Sequence, residues 1–417
     1  MVNDGVLSLK INRNPTFEIK GDTLYVNRFS DILKIKKNHQ QILKENEVKN
    51  IFVKKPLPVP SMELTFSRRR MLTDIIGESL HIKMEKNEAG IFVEDNIIYQ
   101  KSRDGKISLL CYLSNRTNVV VPDGVYNISY NAFMNSDIRS IKFPDSLHII
   151  NTDAFQKCKM LSSIKFSGED LIIGNNAFAE CDSLEFVDFK GVTNIKQCAF
   201  SDCKSLKSIK LHDGLKTIED YAFSGCPLLK EAYLPASVNN LGYNCLEQVS
   251  DFYINKAGFL RTIIHCSSSY ILRIHENGNL AIVPKSLKMD HYEDVEAALK
   301  NFESEKDKIE IFYQYACQPT VKQKVALECY SLHPDDKTKI YPRKYFSNML
   351  AREKYEEEFL FLFSKFQNLK LLTKELDEKA LDIAHKNAWT QAAVCILEDS
   401  KKYTEKSQIN VDSKFEI

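Results

Sequence analysis

The dipeptide Ala-Phe returns at a fixed interval between Val119 and Leu246: Ala132-Phe133, Ala154-Phe155, Ala177-Phe178, Ala199-Phe200, Ala222-Phe223 and a decayed Cys245-Leu246. Its first position recurs every 22 or 23 residues. Self-similarity at a period in this range means a solenoid, in which each unit buries its apolar face only against its neighbours. That architecture carries surfaces rather than reaction centres.

The residues around each beat keep their offsets. Four positions before the alanine stands Ile128, Ile150, Ile173, Ile195, Ile218 or Leu241. Three after the phenylalanine stands a small residue, Ser136 and then Cys158, Cys181, Cys203 and Cys226. In four units Leu161, Leu184, Leu206 or Leu229 stands six after the phenylalanine and two apolar positions follow at the spacing Leu-x-x-Ile-x-Phe, as in Leu161, Ile164 and Phe166; the first unit is one residue short, with Ile138, Ile141 and Phe143. The tail of each unit, for example Ser162-Ser163-Ile164-Lys165-Phe166, alternates polar with apolar residues and fits a half-buried strand. Stacked on the next unit's strand, it forms a parallel ladder, with Ala, Phe and Cys filling the interior of the return segment.

The pattern Ile-x-x-x-Ala-Phe-x-x-Cys-x-x-Leu-x-x-Ile-x-Leu resembles the BspA-type leucine-rich repeat known from treponemal surface proteins. The proline step often found in that repeat reads here Val121-Pro122-Asp123-Gly124-Val125, Phe143-Pro144-Asp145-Ser146-Leu147 and Leu234-Pro235-Ala236-Ser237-Val238. Gly90 to Tyr99 is similar to the hairpin that precedes such arrays. The resemblance covers residues 90–260. For relatives that carry signals and anchors it implies a cell-surface adhesin or antigen.

A chain of 417 residues calls for two or three structural units. With 57 Lys and Arg against 56 Asp and Glu it carries no nucleic-acid footprint. The start lacks a signal-peptide pattern and no window is apolar enough to span a membrane, so a cytoplasmic chain is expected. Eleven cysteines, an odd count, agree with that. A zinc ladder or a disulfide among the periodic cysteines would need clustered partners, and no Cys-x-x-Cys pair occurs. Buried structural thiols are the expectation.

Beyond Leu260 the grammar changes. Ile271 to Ile274 and Leu280 to Pro284 read as a closing hairpin around His275-Glu276-Asn277-Gly278, and residues 261–288 as the cap and linker of the coil. From residue 289 to 417 glycine disappears and the spacing becomes helical, beginning near Asp294. Ala380-Leu381-Asp382-Ile383-Ala384 and Val394-Cys395-Ile396-Leu397 resemble the paired helices of an ankyrin repeat. A shift of 33 residues takes Ala384 to Ala351 and Val394-Cys395-Ile396 to Phe361-Leu362-Phe363; a further unit starts near Tyr315-Ala316. A plain helical bundle is the alternative. Residues 1–89 read as an N-terminal extension or capping unit, with strand-like runs over Leu7 to Tyr25 and Val48 to Val59 and a helix-compatible stretch from Asp31 to Glu45. Arg68-Arg69-Arg70 is a solvated face or a phosphate or localisation site. The fold class is therefore an α/β-type solenoid: a leucine-rich repeat coil with a stacked parallel sheet, followed by an all-α, ankyrin-like helical repeat domain.

Nucleotide-binding loops, nucleophile elbows and metalloprotease motifs are absent from the sequence. His148 and His212 fall in turns after repeat strands, where surface hydrogen bonding is expected. Adjacent His265 and Cys266 do not make a base and a nucleophile. No cofactor, metal or catalytic residue is assigned.

The positive argument is geometric. Residues between the buried positions of Leu-x-x-Ile-x-Phe point outward from the strand wall. One outward column is Ser140, Ser163, Phe186, Ser208 and Glu231; the other is Lys142, Lys165, Asp188, Lys210 and Tyr233. Lysines with Phe186 and Tyr233 as aromatic anchors suit a protein partner with acidic and apolar features. The sequence thus points to a non-catalytic protein–protein interaction scaffold. A surface adhesin is the alternative, and an enzyme with an unrecognised site is a third reading.

Overall fold

The computed structural model describes residues 2–3, 6–10, 16–27, 43–54, 81–84, 90–254, 260–269, 271–276, 279–284, 319–332, 334 and 339–412. The expected helix near Asp294, the unit near Tyr315-Ala316, the basic run Arg68–Arg70 and most of the stretch from Asp31 to Glu45 lie outside these residues. The chain forms two units: residues 1–269 with 275–278, and residues 270–274 with 279–417.

Residues 107–254 wind into a coil whose turns carry two strands each. One wall holds the expected strands: Asn118–Val120, Ser140–Lys142, Ser163–Lys165, Phe186–Asp188, Ser208–Lys210, Glu231–Leu234 and Asp251–Ile254. The other is built on the aliphatic residue four before each alanine, in Val125–Ile128, Ile149–Ile150, Leu171–Ile173, Val192–Ile195, Thr217–Ile218 and Asn240–Leu241. Strands of two to four residues are too short to show a periodicity of their own, so the sequence reveals one sheet where there are two. The second, isoleucine wall is the unbroken ladder. It runs parallel through all six strands and onto Ile107–Tyr112, then antiparallel through the hairpin Ile97–Lys101 and Ile91–Glu94. The first wall is hydrogen-bonded in separate blocks, which break after Ser140–Lys142 and after Ser208–Lys210.

The third side of each turn contains no strand. There the Ala-Phe pair sits between two left-handed residues, the one before the alanine and the second after the phenylalanine: Asn131 and Asn135, Asp153 and Lys157, Asn176 and Glu180, Cys198 and Asp202, Tyr221 and Gly225. Asn and Asp tolerate that conformation best, whereas Lys157, Glu180, Cys198 and Tyr221 adopt it at a cost of about 1 kcal/mol each. The double reversal aims each phenylalanine N–H along the coil axis. It donates to the alanine carbonyl of the next turn, from Phe133 to Ala154, Phe155 to Ala177, Phe178 to Ala199 and Phe200 to Ala222, each at 2.7 Å. Three sides of the coil therefore satisfy their backbone between turns, as a buried peptide requires.

The rings follow the backbone. Phe133, Phe155, Phe178, Phe200 and Phe223 stack in one column at centroid distances of 4.6, 4.8, 5.0 and 5.3 Å. That is the spacing of hydrogen-bonded strands, so the ladder sets the ring separation. A second column, Phe143, Phe166 and Phe189, meets the first edge-on. Where the Pro-Asp step is missing, Gly168 and Gly191 take its place. A Cβ on Gly191, at φ +76°, would lie 1.6 Å from the Gly168 carbonyl oxygen of the neighbouring turn.

At the N-terminal end, strands Thr16–Lys20, Thr23–Val26, Asn50–Val53 and His81–Met84 belong to a six-stranded sheet that is antiparallel and then parallel. Its residues Phe17, Leu24, Ile51 and Val53 share a core with Ile91 and Ile98 of the hairpin and Leu113 at the start of the coil.

The second unit contains five described helices: α1 (Pro319–Leu332), α2 (Ile340–Leu350), α3 (Glu356–Asn368), α4 (Lys374–Lys386) and α5 (Thr390–Asp412). Phe346, Phe359, Phe363, Phe366, Leu371, Ala380, Ala384, Ala392 and Ile396 form its core. Thr373 caps α4 by accepting from the Leu376 N–H at 3.3 Å. Helices α3 and α4 end alike, with left-handed Lys370 and Ala388, and the next N–H returns to the carbonyls of Phe366 and Ala384. The pairs α2–α3 and α4–α5 repeat, but not at one offset. Buried Pro342, Phe346 and Leu350 correspond to Leu376, Ala380 and Ala384 at 34 residues, whereas Phe359 and Phe363 correspond to Ala392 and Ile396 at 33. Ala351, the expected counterpart of Ala384, lies beyond α2 and is exposed.

Candidate interaction surface

The outward columns form as their alternation requires. Within the strand centres Ile141, Ile164, Val187, Ile209 and Ala232 are buried, while Ser140, Lys142, Ser163, Lys165, Ser208, Lys210, Glu231 and Tyr233 are exposed. Phe186 and Asp188 differ: both are half-buried. Phe186 is flanked in register by Ser163 and Ser208.

Ladder breaks divide the ten residues into three groups. Ser163, Phe186 and Ser208 lie side by side, as do Lys165, Asp188 and Lys210. Ser140 and Lys142 pair with Asn118 and Val120 in the preceding block. Glu231 and Tyr233 pair with Asp251 and Tyr253 in the following one.

Charge is graded along the wall. Lys142 and Lys165 have no ion-pair partner among the described residues. In the centre Asp188 accepts from His212 Nε2 at 2.6 Å and lies 4.0 Å from Lys210 Nζ. At the far end Glu231 and Asp251 adjoin, with His275 Nε2 3.4 Å from Asp251. The lysines and Glu231 are exposed, so their charges remain available to a partner.

At the far end an aromatic stack extends the second column beyond Tyr233. Tyr233, which is 53% exposed, stacks on Tyr253 at 4.1 Å, and Tyr253 stacks on His275 at 4.2 Å. Desolvation in the stack, then the neighbouring Tyr233 hydroxyl, pushes the Tyr253 phenol up. The signal was the strand Phe252-Tyr253-Ile254, which continues the Tyr233 column by one turn although its unit has lost the Ala-Phe beat.

The periodic thiols face inward. Sγ of Cys158, Cys181, Cys203 and Cys226 donates to the carbonyl of Phe133, Phe155, Phe178 and Phe200 in the preceding turn, at 3.1, 3.3, 3.2 and 3.2 Å. Burial pushes the Cys158 thiol up to about 12 and those of Cys181 and Cys203 well above their ordinary value. They serve as protonated donors that second the backbone ladder. Among the described residues no cluster of three or more His, Cys, Asp or Glu is placed to hold a metal. His148 stacks on Tyr126 at 4.6 Å, and Cys266 donates to the Ile263 carbonyl while His265 is exposed.

Residues 108–191 and 171–265 match the BspA type leucine rich repeat region, in six copies. Among solved structures, a leucine rich cell surface protein from Faecalibacterium prausnitzii is 21% identical, with 48% of this chain and 62% of that one covered and a TM-score of 0.32. The T. pallidum leucine rich repeat protein is 28% identical over 37% of this chain and 87% of its own, with a TM-score of 0.32. The pneumococcal vaccine antigen PcpA is 17% identical over 50% and 60%, with a TM-score of 0.21. This chain thus spans less than two thirds of the length of the Faecalibacterium protein. Comparison with curated proteins gave no match.

Proposed function

We propose that this chain is a non-catalytic scaffold that binds a protein partner on the wall carrying Lys142, Lys165, Lys210 and Tyr233, with the helical unit as a second docking module. The observation that carries this reading is the outward register: a row of exposed side chains running from uncompensated lysines to a stacked Tyr233–Tyr253–His275 edge. Aromatic edges that lose water on contact supply most of the binding energy at such surfaces, and a graded charge fixes the partner's direction. In this reading the helix pairs α2–α3 and α4–α5 are ankyrin-like units, supported by their near-constant offset and by the left-handed Ala388 where a glycine would be preferred. A reducing, cytoplasmic setting suits thiols used as S–H donors.

The test is photo-crosslinking in the native host, with a benzophenone amino acid placed at Tyr233 or at Thr217 on the isoleucine wall. Adducts of one partner from position 233 and none from 217 support the assignment; equal adducts from both walls, or none from 233, overturn it. A cell-surface adhesin is the second reading, favoured by the BspA type repeats over residues 108–265. No helix among the described residues is long and apolar enough to cross a membrane. Labelling of intact cells with an impermeant reagent separates the two, since only an adhesin is labelled before lysis.

A further inference from the structure

The helical unit has an open groove between α3 and α5 of about 840 Å³. The two helices run in the same direction, because Glu356 accepts from the Ala392 N–H at 2.8 Å near one end and Gln367 donates to Asp399 at 2.6 Å near the other. Each faces the groove with residues at helical spacing, Glu357, Phe361 and Ser364 from α3 and Cys395, Glu398 and Lys402 from α5.

Its apolar content exceeds what the unit needs for its own core. Phe361, which lines the groove beside Leu360, Phe363 and Cys395, is 74% exposed. A single exposed apolar residue is ordinary, but an exposed ring at the edge of a groove that Leu360, Phe363 and Cys395 also line is a docking feature. The rim is acidic. Lys402 is engaged by Asp399, whereas Glu357 and Glu398 have no ion-pair partner among the described residues.

We infer that this groove receives an amphipathic helix from a partner protein, with an apolar stripe on Phe361 and Cys395 and lysines or arginines along its edges against Glu357 and Glu398. Two parallel helices leave between them a furrow into which the ridge of a third helix packs. The groove face of α3 runs from Glu357 to Gln367, about 15 Å at 1.5 Å per residue, which accommodates roughly three helical turns. The acidic rim selects a basic partner and repels an acidic one. This rests on the scaffold reading of the helical unit but not on the strand wall.

The experiment is fluorescence anisotropy with the full chain and two labelled synthetic helices of about 14 residues. Both carry the same leucine stripe, edged with lysine in one and with glutamate in the other. The lysine-edged helix is expected to bind at least about tenfold tighter, and to lose about tenfold or more in Phe361→Ser and in the double variant Glu357→Lys/Glu398→Lys. All three positions are exposed, so the fold is kept, and far-UV circular dichroism checks it. Tyr233→Ala leaves this binding unchanged, which separates the groove from the wall. Equal or tighter binding of the glutamate-edged helix, binding unaffected by either groove variant, or no binding of the lysine-edged helix overturns the assignment. Self-association of the free chain that Phe361→Ser abolishes would also overturn it, because a second copy would then be the occupant.

Discussion

Replacing Phe178 by leucine tests whether the coil is held by nearest-neighbour stacking. Phe178 is fully buried, lies 4.8 Å from Phe155 and 5.0 Å from Phe200 with rings within 8° of parallel, and meets Phe166 edge-on at 6.1 Å. Leucine keeps most of the buried apolar area, so the loss comes mainly from the aromatic contacts, each worth about 0.5–1.5 kcal/mol beyond area. Three such contacts give an expected destabilisation of about 1.5–4.5 kcal/mol. Phe223 stacks on Phe200 alone and touches Phe189 edge-on, and the next turn already presents Leu246, so Phe223→Leu should cost about 1–3 kcal/mol.

The sharper comparison is between double variants. Phe155 and Phe178 share a stacked contact that can be lost only once, so Phe155→Leu/Phe178→Leu should be less than additive by about 0.5–1.5 kcal/mol. Phe155 and Phe200 are separated by the Phe178 ring, and their double variant should be additive within about 0.5 kcal/mol. Urea unfolding followed by far-UV circular dichroism measures each value by linear extrapolation. Equal coupling in the two pairs, or Phe178→Leu costing no more than Phe223→Leu, would refute the stacked-column account.

Four further outcomes are expected. Gly191→Ala should prevent the coil from closing, because its methyl would collide with the Gly168 carbonyl at a left-handed φ; loss of the cooperative thermal transition is the readout. Near pH 8 a thiol reagent should modify the partly exposed Cys198 and Cys395 well before the fully buried Cys158, Cys181, Cys203 or Cys226, and Cys158, at about 12, is in addition thiolate in only about one molecule in ten thousand; peptide mapping of the alkylated chain checks this, and Cys198, whose thiol is raised by burial and then by Asp202, should react more slowly than an unhindered thiol. Asp377 is 1% exposed with neither carboxylate oxygen hydrogen-bonded among the described residues, and burial, opposed by Lys402 and reinforced by Asp399, raises it from 3.8 to about 6. The stability this permits is full below about pH 4 and is lost as the pH rises through 6, so Asp377→Asn should flatten that pH dependence and stabilise the helical unit at pH 8 by up to about 3 kcal/mol, read from urea midpoints at the two pH values through the single tryptophan, Trp389. Ala388→Gly should stabilise the same unit by about 1 kcal/mol, because glycine adopts φ +57° without strain, and a downward shift in Tm would contradict the helix-end assignment.

The sequence by itself determined the coil. A fixed offset between Ile150, Ala154, Phe155, Cys158 and Ile164, repeated turn after turn, leaves each unit one neighbour on either side to bury against, so the inward residues, the outward columns and the end-to-end stacking follow from spacing alone. Period-2 alternation also placed Lys142, Lys165 and Lys210 outward before any contact was known. Tertiary structure decided what depends on pairing between turns. The isoleucine strands exist because Ile150 and Ile173 meet across the ladder, not because two residues favour a strand. The breaks after Lys142 and Lys210, the half-burial of Phe186 between two serines, and the union of Tyr233, Tyr253 and His275 likewise arise from register. The same holds in the helical unit, where Phe361 and Phe363 stand two apart in one helix and only packing against α2 and α5 sends Phe363 into the core and leaves Phe361 to water. Local spacing fixes which face a side chain takes; what lies across from it is a property of the fold.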